Sequence, residues 1–152
     1  VNYFKEAEYI LQNYPKLKTA LQNLKRRQGQ LIAISTPSYK MSAETSRIGA
    51  GSAYVSNTIN DLEELSYIAK EINAITWKIQ EIENILSDIE DDKRKIIEMI
   101  YFQNLTHEKA MKDIYLSGKA SFYRKKKKAI EEFSILYFGI SALDYIIKTR
   151  KK

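Results

Sequence analysis

The sequence predicts an all-α protein in which long coiled-coil-like helices precede a C-terminal helix-turn-helix domain. Three observations predict it. Gly and Pro number only five and two in 152 residues, a scarcity that favours long uninterrupted helices over strands and turns. The apolar residues Ile68, Ile72, Ile75, Ile79, Ile82, Leu86 and Ile89 step alternately by four and three, which is a heptad seam. Finally, three short helical patterns follow one another closely after residue 91, the last of them dense in Lys and Arg.

The elements follow in chain order. Across residues 1–34 the stripe Phe4, Ala7, Leu11, Tyr14, Leu17, Leu21, Leu24 and Leu31 defines one helical face. Pro15 lacks an amide donor and disfavours helix at Tyr14, so a break or bend is expected there, giving one helix or a kinked pair. Residues 35–54 lose the periodicity and gain Ser, Thr, Pro37, Gly49 and Gly51, the composition of a flexible connection. Gly49-Ala50-Gly51-Ser52 lacks the preceding strand and following Lys of a phosphate-binding loop. Residues 55–90 form the long heptad helix, with Ile59, Leu62 and Leu65 extending its stripe backwards. Its seam needs a partner helix, either the first helix folded back as an antiparallel hairpin or a second copy of the chain. Trp77 edges that seam, where a partner protein can cover it.

Residues 91–152 carry the functional expectation. Asp91 and Asp92 stand where a helix N-terminus favours negative charge. Ile96, Ile97, Ile100 and Tyr101 share one face of a first helix ending near Asn104, and Thr106 offers an N-cap to a second that buries Ala110 and Ile114. His107, in the first turn of that second helix, either meets a phosphate or stands exposed without a structural role. Leu116-Ser117-Gly118 supplies the turn. The third helix begins near Lys119, with Phe122, Ala129 and Phe133 on one face. Advancing about 100° per residue puts Arg124, Lys127 and Lys128 opposite that face, with Ser121, Tyr123 and Lys125 on its flanks.

Charge is distributed unevenly. Segment 1–54 has a net charge of +5, segment 55–92 of −8, and segment 93–152 of +9. An acidic middle joined to a basic end is the pattern of a scaffold carrying a polyanion-binding module. There is no Cys and one His, which excludes disulfides, thiolate zinc and a Cys nucleophile and speaks against a His-based metal site or triad. The adjacent acids Glu63-Glu64 and Asp91-Asp92 do not face one another on a helix. No catalytic residue, metal or cofactor is therefore expected. With no apolar run long enough to span a bilayer and no signal-peptide pattern, the expected setting is the cytoplasm.

A resemblance adds to this reading. Arg94, Ile97, Ile100-Tyr101-Phe102, Thr106, Glu108-Lys109-Ala110, Ile114-Tyr115-Leu116-Ser117, Phe122-Tyr123-Arg124 and Lys126 through Ile130 resemble region 4 of bacterial sigma factors. The turn from Leu116 to Phe122 is one residue longer than in that pattern. The whole order of elements, including the linker residues Thr36-Pro37-Ser38, is similar to phage transcriptional regulators of the RinA and ArpU type. That resemblance implies control of phage late, packaging, lysis or integrase genes in a bacterial host cell. The expected partner is double-stranded DNA, met by Thr106, His107, Lys119, Ser121, Tyr123, Arg124, Lys125, Lys127 and Lys128. The basic tail from Lys148 to Lys152 adds phosphate contacts. The long helices would supply homodimerisation or contact with RNA polymerase. The competing expectation is a structural or adaptor coiled-coil protein whose basic end neutralises nucleic acid without sequence preference.

Overall fold

The computed structural model describes residues 1–35, 51–114 and 118–152, and among them every regular element is helical. Helix α1 runs Tyr3–Ser35. Asn2 caps it, its side-chain oxygen accepting from the Lys5 amide at 3.1 Å. Of the two expected forms, one helix or a kinked pair, the first is found: Pro15 lies inside one continuous 33-residue helix, with no break there. Ala7, Leu11 and Tyr14 are buried just before it, and the Tyr14 hydroxyl donates to Glu83 at 2.6 Å. Packing on that scale offsets one missing hydrogen bond and the local crowding of the ring.

Helix α2 runs Gly51–Asp88. It starts four residues before the expected position 55, because glycine is tolerated in a first turn whose amides have no intrahelical partner. The rest of the expected connection, with Thr36-Pro37-Ser38 and Gly49-Ala50, lies outside the described residues. There follow α3 (Asp91–Ile97), a π-helical turn (Glu98–Phe102), α4 (His107–Asp113), α5 (Lys119–Phe138) and α6 (Ile140–Arg150). No helix among the described residues is long and apolar enough to cross a membrane.

The chain divides into two compact units. One comprises Lys18–Lys78. Its fully buried hydrophobic residue is Ile68, while Leu21, Leu24, Leu31, Leu65, Ile72 and Ile75 are half-buried. An ion pair joins Arg27 of α1 to Glu64 of α2. Trp77 stands 78% exposed.

The other unit comprises Val1–Leu17 and Ile79–Lys152. Here Ile79, Ile82, Leu86 and Ile89 are buried, so this part of the heptad seam is covered without a second copy. Two packing centres serve the C-terminal helices. Ile96, Ala110 and Phe122 form one, from α3, α4 and α5, with Met99, Ile100, Met111 and Ile114 around them. Ala129, Ile130 and Phe133 on α5 with Ala142 and Ile146 on α6 belong to the other. Around it Tyr3 meets Phe138 at 5.2 Å and Tyr145 at 6.0 Å between ring centroids, so these C-terminal aromatics are packing groups.

Two glycines set the helix ends that matter. Gly118 caps α5 with φ +121°, and Gly139, with φ +70°, separates α5 from α6. Both lie where a side chain would strain the backbone. The π turn was not legible from periodicity. Its amide bond from Gln103 to the Glu98 carbonyl, at 2.9 Å, reaches back five residues and widens the turn. The wider turn lets Met99 and Ile100 pack toward Phe122 while Phe102 reaches Tyr14 at 4.5 Å.

Candidate nucleic-acid interface

Helix α5 is fixed by what it buries. Phe122, Ala129 and Phe133 are wholly inaccessible to solvent, and together they set the rotation of the helix. Ala110 on α4 is equally inaccessible, and its small side chain permits close approach of the two helices. Thr106 caps α4 by accepting from the Lys109 amide at 3.4 Å, the role its sequence position predicted. The connecting residues 115–117 lie outside the described residues.

With the inner face fixed, the run Arg124-Lys125-Lys126-Lys127-Lys128 splits into two classes. Lys125 is part-buried and pairs with Asp92 of α3, Nζ to Oδ2, at 3.0 Å. That lysine holds the Asp92 carboxyl below its usual range, through its hydrogen bond first and its charge second. Lys126 is more covered. Its ammonium lies 3.7 Å from Glu8 of α1 and 5.5 Å from the centre of the Tyr101 ring, whose hydroxyl donates to the same carboxylate at 2.6 Å. Burial, then the Glu8 contact, raises the Tyr101 phenol well above its ordinary value.

Arg124, Lys127 and Lys128 are exposed, and none has an ion-pair partner among the described residues. Comparison with family models, curated proteins and solved structures finds no match. What this face can do is therefore read from its own side chains. Lys119 and Ser121 are exposed at the start of α5, and Tyr123 is 49% exposed beside them. The exposed cations and these small or aromatic groups thus share the first half of one helix. A polyanion would meet three uncommitted charges there, in addition to Lys119.

His107 departs from the exposed position that was one of its two expected settings. Its ring stacks on Tyr123 at 5.2 Å and meets the edge of Phe122 at 5.6 Å, and its Nε2 is buried with no hydrogen-bond partner among the described residues. Desolvation, and secondarily the charge of Lys126, lowers its pKa from 6.5, so at neutral pH the ring is uncharged and serves as a packing plate behind Tyr123. A lowered folded pKa means that the unfolded chain takes up the proton first as pH falls. The stabilisation from neutral His107 is therefore complete above about pH 6.5 and is lost as pH drops through the folded value. His107→Phe, which keeps a ring but cannot titrate, is expected to flatten the stability profile between pH 7 and 5 in urea melts. An unchanged profile would show that the burial of the imidazole has no energetic weight.

No group of three metal-ligating side chains occurs among the described residues. A hollow of about 310 Å³ is lined by Lys93, Lys128, Glu131, Glu132, Leu136 and Arg150, among others. Its charged groups are already committed, Lys93 to Glu132 and Arg150 to Glu131, with Lys128 the exception. Sequence reasoning found the exposed cations but not Asp92 and Glu8 as their neighbours' partners. Only the fold brings residues 33 and 118 positions apart to Lys125 and Lys126.

Proposed function

We propose that the chain is a sequence-specific DNA-binding transcriptional regulator that docks α5 into the major groove as the second helix of a helix-turn-helix. One observation carries this reading. A helix locked by Phe122, Ala129 and Phe133 leaves Arg124, Lys127 and Lys128 exposed and unpaired, while its other two consecutive cations are held by acids. Residues at the start of such a helix reach base edges, and cations further along meet phosphates. Lys119, Ser121, Tyr123 and Arg124 are the base-reading candidates, with Lys127, Lys128 and Thr106 on the backbone. Lys125 joins them if DNA displaces Asp92. The sigma-like residues support a role at phage late, packaging, lysis or integrase promoters in the bacterial cytoplasm, with the long helices contacting RNA polymerase. No catalytic function is proposed.

Selection of bound sites from a random duplex pool tests this reading. Enrichment of a defined motif is expected, and Arg124→Ala should lower discrimination against random DNA by about tenfold, the worth of one good base contact. Recovery of no motif, with Arg124→Ala weakening all duplexes equally, would instead make the chain a coiled-coil adaptor with a charge-only basic end.

A further inference from the structure

We propose that the outer face of α6 is a self-association surface on which a second copy of this chain docks antiparallel. The inner face of α6 is closed: Ala142 and Ile146 are buried against the rest of the unit. About a third of a turn away, Ile140, Leu143 and Ile147 stand 77%, 40% and 43% exposed. Their spacing of three and four places them in one stripe along the helix. Three large aliphatic side chains aligned on one exposed helix face form a patch of the kind that marks contact with another protein.

The charges beside the stripe identify the partner as the same chain. Asp144 and Lys148 are both exposed, lie four residues apart on one edge of the stripe, and form no ion pair with any described residue. The acid is nearer the helix N-terminus and the base nearer the C-terminus. A two-fold axis crossing α6 at the level of Tyr145 reverses that order in the second copy. Leu143 of each copy then opposes Ile147 of the other, and Asp144 of each comes beside Lys148 of the other. An isologous contact of this kind satisfies two apolar pairs and two ion pairs with a single surface. A polyanion would meet an apolar stripe and a carboxylate here, which is the wrong chemistry for it.

The surface is small, a stripe of three side chains spanning roughly 11 Å of helix, so the association is reversible, with micromolar rather than nanomolar strength. It stands independently of whether α5 enters a DNA groove. Sedimentation equilibrium of the full chain without DNA tests it. A monomer–dimer equilibrium is expected that Ile147→Asp shifts to monomer. Asp144→Lys or Lys148→Asp alone should weaken it about tenfold, and the two together should restore it to within about threefold of the parent. The exposed positions make all of these variants compatible with an unchanged fold, checked by far-ultraviolet dichroism. A parent chain that is monomeric at about 100 μM, a dimer indifferent to Ile147→Asp, or a double charge variant no better than either single one would each overturn the proposal.

Discussion

Phe122→Ala is expected to destabilise the unit that contains α5 by about 3–5 kcal/mol, the range for deleting a fully buried aromatic ring. Phe122 is wholly buried between Ile96 of α3 and Ala110 of α4, and neither neighbour is long enough to fill the space it would vacate. It also supports the His107 ring at 5.6 Å, so the loss extends to the packing behind Tyr123. Against a typical domain stability of about 5–15 kcal/mol, a change of this size leaves a substantial unfolded population or a low melting point. Phe122→Leu keeps most of the volume and should lose about 1–2 kcal/mol. Urea titration followed by far-ultraviolet dichroism measures both. A loss below about 1 kcal/mol for the alanine variant would mean that α3, α4 and α5 are held together by other contacts.

The second large effect concerns charge. Replacing Lys127 and Lys128 together with Ala should flatten the dependence of log affinity on log salt by about 1.8, at roughly 0.9 for each phosphate no longer neutralised. At about 0.1 M salt this amounts to a loss of roughly sixtyfold in affinity for any duplex. Lys125→Ala and Lys126→Ala should each change the slope by less than that of one phosphate, because Asp92 and Glu8 already neutralise those ammonium groups. Titrating duplex into each variant by fluorescence anisotropy at several salt concentrations gives the slopes. Equal slopes for removal of any of the five cations would show that the ion pairs open when DNA binds, and that the division of the run has no consequence for the footprint.

How much of this was legible in the sequence follows from the range of the interactions concerned. The inner face of α5 was legible because Phe122, Ala129 and Phe133 repeat with the period of the helix that carries them. The cap at Thr106, the small contact residue Ala110 and the turn glycine at 118 were legible because each acts on its own neighbours in sequence. Pro15 left one helix and a kinked pair both open, because its local penalty is visible in the chain and the burial of Leu11 and Tyr14 that offsets it is not. The π turn was hidden because one extra residue in a turn leaves no mark on an apolar pattern already crowded with Ile96, Ile97, Ile100 and Tyr101. The pairing of Glu8 with both Tyr101 and Lys126 spans most of the chain, and no local rule anticipates it.

Trp77 is the only tryptophan in the sequence, and it belongs to the unit formed by Lys18–Lys78. It is already 78% in water when the chain is folded. Its emission is therefore a poor witness to denaturation: it starts near the spectrum of a solvated indole and has little further to shift. The unit that contains α5 holds tyrosines but no tryptophan, so its melting is silent in that channel and must be followed by tyrosine emission or by loss of helical dichroism. Conversely, a blue shift of the Trp77 spectrum on adding any candidate partner would report an event on the long helices, an optical label built into the unit that does not contain the basic helix.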